Sequence, residues 1–275
     1  MKFRILAGVA VTAIMAGSAF AADMPLKAAP APVLAYDWSG MYIGGVLGGG
    51  WGTTDSSIPS LGILGILANV PVVQTTTSSG FIGGVEGGDR YQFGKLVIGW
   101  EADITWGNLN GTSNASFGPN PGLLGPFGLT LNRTMTADTN WVGTAVSTVG
   151  IAHNNWLIYG KAGVAWDHTT YTDNWGANVS FLGKSFFNGP VFTGTGSDNN
   201  NRVGWTVGTG IEWALWNNWS VKAEYDYLDF GTRTVTINSS VVPANNFPIS
   251  YGVSDTSHIN QFKAGLNWHI APNYW

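Results

Sequence analysis

The stretch from 261 to 270, near the end of this chain, alternates apolar and polar side chains at every position. A period of two residues predicts a β-strand, because successive side chains of a strand point to opposite faces. The apolar half therefore faces either the core of a soluble sheet or the lipid around a closed barrel whose polar half lines the lumen. The apolar residues are Phe262, Ala264, Leu266, Trp268 and Ile270, and the opposite set is Gln261, Lys263, Gly265, Asn267 and His269.

Similar segments recur along the chain, and the connections between them differ sharply in length. The segments lie at about 39–52, 78–92, 95–107, 137–153, 156–171, 202–215, 219–235 and 257–270, and each is long enough for the ~9–11 residues of a membrane-crossing strand. Tight turns at Phe93-Gly94, Asn154-Asn155 and 216–218 alternate with long polar connections at about 53–77, 108–136, 172–201 and 236–256. This order places all short turns at one end, as in transmembrane barrels, whereas a soluble sandwich has no reason to sort its loops. We therefore predict an all-β fold, an eight-stranded antiparallel transmembrane up-and-down β-barrel.

Aromatic residues cluster near the ends of the predicted strands. Such clusters are typical of the two aromatic girdles that flank the apolar band of a membrane barrel. The alternative is an aromatic core inside a soluble barrel. The predicted girdle residues are Trp38, Trp51, Tyr91, Trp106, Trp141, Trp156, Trp213, Trp219 and Trp268.

The first residues have the pattern of an export signal. Lys2 and Arg4 precede an apolar run, and Ala19-Phe20-Ala21 is a small-x-small cleavage site, so we predict a signal peptide at 1–21. A single membrane anchor is the alternative. A Pro/Ala-rich periplasmic linker is expected at 22–37 and the outer-membrane barrel domain at 38–275. No other segment has the ~20-residue apolar run of a transmembrane helix.

Composition agrees with a barrel and excludes several other classes of protein. The chain of 275 residues has 39 Gly and 14 Trp, only 10% charged residues and a formal net charge of −4. Nothing in this balance predicts a nucleic-acid partner. The mean hydropathy of +0.08 is too low for a helical membrane protein but suits a barrel, because half of each strand faces inward. The absence of cysteine excludes disulfides and Cys-ligated metals.

Several strings resemble the small outer-membrane β-barrel family that includes outer membrane immunogenic proteins and porin-family, OmpA-like eight-stranded barrels. The strings are Tyr36 to Gly45, Trp141 to Thr144, Val203 to Trp213 and Asn218 to Tyr225. The resemblance implies a barrel in a Gram-negative outer membrane without enzymatic activity. Two features depart from the family pattern: Val146 and Thr148 stand where the fourth strand usually carries inward Arg, and the chain continues past Ile270 to Trp275.

The inward face of the predicted barrel carries a set of charged residues. A charge inside a closed barrel must be paired or solvated, and eight strands leave a lumen that side chains fill. We therefore favour a plugged polar core over a gated proton or ion path. Turn geometry predicts that Glu212 pairs with Lys222 and that Glu86 faces Glu101. The predicted lumen network is Glu86, Glu101, Asp103, Lys161, Glu212, Lys222, Glu224, Asp226 and Lys263, with Arg202 near the loop end.

No pattern predicts a catalytic, cofactor or metal site. Gly44 to Gly52 is glycine-rich, but no helix follows it, so it is not a phosphate-binding loop; crowding inside the barrel is the simpler explanation. The histidines at 153, 168, 258 and 269 are scattered and lack metal-ligand spacing. Ser197, His168 and His258 lie in or near loops without a catalytic motif. We therefore predict no enzyme activity, no cofactor and no metal.

The leading functional hypothesis is a non-enzymatic outer-membrane protein contributing to envelope structure and surface presentation, with at most slow passage of small solutes. The alternatives are an adhesion or ligand-binding module acting through the long outer loops, a narrow porin, or an outer-membrane enzyme. Expected partners are outer-membrane lipid, lipopolysaccharide and the assembly machinery, which would recognise the last strand. The apolar loop 58–73 either folds over the barrel mouth or contacts lipopolysaccharide, a partner or another copy. The oligomeric state is left open.

Overall fold

Antiparallel strands account for nearly all of the described chain. The structure is a computed structural model that describes residues 36–57, 73–118, 127–185, 190, 192–216, 218–241 and 249–270. The strands are β1 (Gly40–Ser57), β2 (Val73–Phe93), β3 (Leu96–Phe117), β4 (Phe127–His153), β5 (Trp156–Phe181), β6 (Lys184–Ser185), β7 (Phe192–Ala214), β8 (Trp219–Val241) and β9 (Ile249–His269). The predicted signal peptide, most of the predicted linker and loop residues 58–72 lie outside the described residues.

The sheet closes on itself. β1 pairs with β2 on one side and with β9 on the other, and the remaining long strands follow in the order β2, β3, β4, β5, β7, β8, β9. The two-residue β6 only extends the hairpin at the end of β5. A closed ladder pairs the backbone groups of every long strand, which is the condition for a sheet to cross a membrane. The prediction of an eight-stranded antiparallel barrel is confirmed.

The strands are much longer than predicted. β4 spans 27 residues and β5 spans 26, so much of the predicted loops at 108–136 and 172–201 is strand. The prediction failed there because it required apolar side chains on alternate positions. Along this extra length the outward positions carry mainly Thr, Asn and Ser, which suit a strand face in contact with water, and the backbone ladder continues. We call this projecting part the collar; it comprises the strand residues at about 53–57, 73–77, 108–117, 127–140, 167–181, 192–202, 230–241 and 249–257.

The two ends of the barrel differ. At the turn end, positive φ angles at Gly94, Asn154 and Asn218 close the tight hairpins, which favours glycine and asparagine there. The opposite, loop end carries the collar and the longer connections. The described residues contain no helix that is long and apolar enough to span a membrane.

Side chains alternate between the lumen and the outside along every long strand. In β9 Lys263 is buried while Phe262 is 52% exposed, so the apolar set of the 261–270 stretch faces outward. Bulges interrupt the register between Trp106 and Leu109 and between Thr139 and Trp141. The second bulge switches the inward positions of β4 from odd to even numbers, because an extra residue reverses the phase of a strand.

Candidate functional site

The lumen is plugged at the turn end by the segment that precedes β1. Trp38 is completely buried, and its backbone N–H donates to Oε1 of Gln92 at 2.8 Å. The Trp38 ring lies 4.9 Å from the ring of Tyr36 and 5.7 Å from that of His269. Burial, with the nearby Glu212 carboxylate, raises the pKa of Tyr36 to about 12. The prediction that Trp38 belongs to an outer girdle is therefore wrong: Gly40 lets the chain turn inward ahead of the first strand.

The other predicted girdle residues lie on the outer surface. Trp141 is half-buried, and its ring stacks on that of His168 at 6.4 Å; the rings of Trp156 and Trp213 stack at 5.2 Å. One group lies near the turn end and a second near the loop end, and together they bracket the apolar outer band as two girdles would. The turn-end group is Tyr91, Trp156, Trp213, Trp219 and Trp268, and the loop-end group is Trp51, Trp106 and Trp141. Trp51, Tyr91, Trp106, Trp156, Trp213, Trp219 and Trp268 are 38–55% exposed.

Above the aromatic plug, Lys222 forms the centre of a buried charge network. Its Nζ lies 2.6 Å from Oε2 of Glu86, 3.0 Å from Oε2 of Glu101 and 2.8 Å from Oε1 of Glu224. All four side chains are shielded from solvent. One ammonium thus holds together three carboxylates that come from β2, β3 and β8.

Two further lysines extend the network toward the loop end. The Nζ of Lys161 lies 3.1 Å from Glu101, 3.0 Å from Glu224 and 3.1 Å from Asp226. The Nζ of Lys263 lies 2.9 Å from Asp226 and 3.2 Å from Asp103. Side chains from five strands are therefore tied together across the lumen.

The predicted pair between Glu212 and Lys222 is wrong, although the predicted register is right. The two residues are direct partners in the β7–β8 ladder, yet no ion pair within 4.0 Å joins them in the described part of the chain. Glu212 instead contacts Nη1 of Arg90 at 2.8 Å. The prediction that Glu86 faces Glu101 is also wrong, because the β2–β3 ladder pairs Glu86 with Asp103. Long side chains reach across the lumen, so strand neighbours do not decide the partners.

Arg90 is the main lumen residue that was not predicted. It is 1% exposed, and its guanidinium lies 4.1 Å from the ring centre of Tyr42 and 5.5 Å from that of Tyr159. Arginine over aromatic rings is a favourable cation–π arrangement. The alternation of β2, in which even-numbered residues face inward, places Arg90 in phase with Glu86 and was the signal that could have found it.

A layer of apolar side chains crosses the lumen beyond the charge network. Its members come from every long strand except β1 and β7, and each is at most 7% exposed. Apolar constrictions exclude water and so block ions. The layer consists of Ile82, Leu109, Val142, Ala165, Leu228, Phe230 and Ile259.

Beyond the apolar layer, two arginine–aspartate pairs fill the collar. Arg133 bonds Asp173, with Nη2 to Oδ2 at 2.6 Å, and Arg202 bonds Asp167 through Nε at 3.0 Å. Arg133 also lies over the ring of Trp175 at 4.8 Å. The lumen is therefore a stack of an aromatic plug, a charge network, an apolar layer and paired arginines.

The comparison with known proteins agrees with this architecture. Residues 7–269 match the family described as the outer membrane protein beta-barrel domain. The chain belongs to this family. This outer-membrane barrel is 32% identical over 244 residues to the 31 kDa outer-membrane immunogenic protein of Brucella melitensis, covering 86% of this chain and 90% of that one. It is 26% identical over 160 residues to the 22 kDa outer membrane protein of Rhizobium leguminosarum bv. viciae, covering 58% of this chain and 57% of that one.

Among solved structures, the outer membrane protein OprG from Pseudomonas aeruginosa aligns with 84% of this chain and 97% of its own at 15% identity and a TM-score of 0.41. The family and the named relatives place this barrel in the outer membrane.

One contact in this outer-membrane barrel has the composition of a hydrolase site but not its geometry. The Oγ of Ser220 lies 2.8 Å from Nε2 of His269 and also contacts Glu212. In a catalytic triad the carboxylate contacts the imidazole nitrogen opposite the nucleophile. Here Glu212 approaches the same Nε2, at 3.3 Å. The group is buried against Trp38, so the arrangement fixes the plug and offers no room for a substrate.

The carboxylates of Glu86, Glu101 and Glu224 present oxygens within 4.8 Å of one another, a spacing that suits a metal ion. The Lys222 ammonium contacts all three of these groups. A positive charge therefore already stands where a metal ion would bind.

Proposed function

We propose that this protein is a sealed, non-enzymatic barrel that contributes to envelope structure and presents its loop end at the cell surface. The apolar layer between two charged layers carries this proposal. An ion crossing the lumen would have to leave the paired groups around Lys222 and pass side chains that offer it no polar contact. The same layer argues against a narrow porin.

The proposed orientation has the turn end in the periplasm and the collar outside the cell. Short periplasmic turns and long outer segments are the rule for this class of barrel. The expected partners follow from it: lipid around the apolar band, lipopolysaccharide around the collar, and the assembly machinery at β9. The outward set of β9 ends at Trp268, and the next residue after the strand, Ile270, donates its N–H to the carbonyl of Met41 at 2.8 Å.

Single-channel recording in planar bilayers tests the seal. The full mature chain, folded into phospholipid, is expected to give no current steps above background, with a large general porin as the positive control. Regular current steps from protein that keeps heat-modifiable mobility in a gel would contradict the proposal.

Surface labelling tests the orientation. Because the chain has no cysteine, Leu182→Cys places a single thiol at the β5–β6 hairpin, where Leu182 is 72% exposed. A membrane-impermeant maleimide should label this variant on intact cells, and Lys95→Cys at a turn should react only after the outer membrane is opened. The reverse pattern would show the opposite orientation.

A further inference from the structure

The outer face of the collar on β3, β4, β5 and β7 is a regular grid of hydrogen-bonding side chains, all of them neutral except Asp138. Strand register aligns these residues into rows that run across the four strands. The rows are Asn110, Asp138, Thr170 and Asn199; then Thr112, Thr136, Thr172 and Ser197; then Asn114, Thr134, Asn174 and Thr195. All of them are exposed or half-buried. We call this surface the polar grid.

We infer that the polar grid binds the saccharide headgroups of glycolipids in the leaflet that the barrel crosses. The inference rests on the proposed orientation, which puts the collar on the outer side of the membrane. Adjacent strands lie about 4.8 Å apart, and rows about 6.8 Å apart. Hydroxyl and amide groups therefore recur at distances comparable with the spacing of hydroxyls on a sugar.

Charge is the first argument for a neutral ligand. Within the rows only Asp138 is charged, and none of the row residues is Lys or Arg. About a quarter to a third of an ordinary soluble surface is charged, so a surface with a single charged residue is unusually neutral. Asparagine is also a poor strand residue, so its repeated use here needs another reason, and amide recognition of hydroxyls supplies one.

Preorganisation is the second argument. The hydroxyl of Thr134 donates to Oδ1 of Asn114 at 2.8 Å, and that of Thr170 donates to Oδ1 of Asn199 at 3.1 Å. These bonds restrain the side-chain amides of Asn114 and Asn199. Fixed donors lose less conformational entropy when a ligand binds.

The third argument is continuity with the membrane interface. The row directly below the grid consists of Trp106, Trp141, His168 and Asn201 in register. The rings of Trp141 and His168 are nearly parallel, at 6°, and Nδ1 of His168 contacts Oδ1 of Asn201 at 2.8 Å. Aromatic rows mark the headgroup level of a bilayer, so the grid begins where glycolipid sugars begin.

Capture of lipopolysaccharide tests the inference. The full mature chain is folded into phosphatidylethanolamine–phosphatidylglycerol vesicles that contain fluorescent lipopolysaccharide, either with its core sugars or truncated to lipid A. The lipid that remains on the protein after mild detergent extraction is measured. We expect the sugar-bearing form to be retained several times better, and retention to persist at 1 M salt, where charge attraction is screened within about 3 Å.

The decisive variant replaces Thr112, Thr136 and Thr172 by Val, which removes three hydroxyls while the β-branched shape stays. Since each lost hydrogen bond weakens binding several-fold, we expect at least about a fivefold drop in retention. The matched control replaces Thr53, Thr77 and Thr232, outward on the opposite wall, by Val and should retain as much as the unchanged protein. Thr172→Val alone carries the same test if the triple variant fails to fold.

Four results would overturn the inference. Equal retention of lipid A and of the sugar-bearing form would assign binding to acyl chains or phosphates, as would loss of binding in salt. Equal drops in the triple variant and in its control would show a general surface effect. A change of oligomeric state in the triple variant with unchanged retention would assign the grid to contacts between copies. None of these results changes the conductance or labelling tests, so failure here is separable from failure of the proposed function.

Discussion

The ammonium of Lys222 lies 3.0 Å from the carboxylate of Glu101, although no ladder pairs β8 with β3. This contact spans the lumen and ties together strands from opposite parts of the ring. It makes Lys222 the residue on which the charge network depends most.

Replacing Lys222 by Met should destabilise the barrel strongly. The change leaves Glu86, Glu101 and Glu224 buried without their shared cation, and removal of one member of a buried ion pair costs about 3–5 kcal/mol. Urea unfolding in phospholipid vesicles, followed by tryptophan fluorescence, measures the loss. Lys95→Met, at an exposed turn, is the control and should change stability little. Equal stability of both variants would mean that the network contributes nothing net.

Glu86 and Glu101 should respond differently to conversion to Gln. The network described around Lys222, Lys161, Lys263 and Arg90 holds more carboxylates than cations. Glu101 contacts two lysines and accepts from the Tyr42 hydroxyl at 2.7 Å, whereas Oε1 of Glu86 has no hydrogen-bond partner among the residues that the structure describes. Glu86→Gln should therefore be neutral or stabilising, and Glu101→Gln should cost about 2 kcal/mol or more. The same unfolding assay compares them, and the reverse order would refute this account of the charge balance.

We expect that position 48 does not tolerate a side chain larger than that of Gly48, whereas position 49, now Gly49, accepts a methyl group. A Cβ on Gly48 would lie 1.9 Å from the backbone oxygen of Phe262, and one on Gly49 would meet nothing closer than 3.8 Å. Gly48→Ala is expected to cost about 1–3 kcal/mol through overpacking. Gly49→Ala should be neutral or slightly stabilising, because alanine restricts the unfolded chain. Thermal unfolding of the two variants side by side gives the difference, and similar midpoints would show that the strand shifts freely.

Asp255, in the collar beyond the loop-end girdle, should make stability depend on pH. Burial raises its pKa from 3.8 to about 6, against the opposing effects of the Ser56 hydroxyl and Arg133. As pH falls, the folded state therefore takes up a proton before the unfolded state does. The free energy of unfolding rises as pH falls from about 6 to about 4, and this stabilisation is lost as pH rises through the same window. The full effect is about 3 kcal/mol.

Asp255→Asn should remove this part of the pH dependence. Urea unfolding at pH 4 and pH 7 measures it, with the outward-facing Asp138→Asn as the control that should keep the wild-type slope. An unchanged slope in Asp255→Asn would show that another group is responsible.

The sequence by itself determined the closed barrel, because its signals are local. Alternation at 261–270 decides which face of β9 is apolar, and Asn154 and Gly94 mark tight turns where the backbone takes a positive φ. These features need only neighbouring residues. The collar was missed for the same reason: a strand whose outward face meets water lacks apolar alternation, so β3 and β5 seemed to end early.

Only the tertiary structure decided which charges meet and how the ends are closed. Closing the ring brings β2, β3, β5, β8 and β9 around one narrow space, and long side chains select partners across it. Lys222 therefore contacts Glu101 instead of its ladder neighbour Glu212, which contacts Arg90. Trp38 likewise resembles a girdle residue in the sequence, yet the chain turns inward before β1 and uses it as a plug. Such contacts join residues far apart along the chain, so local periodicity carries no record of them.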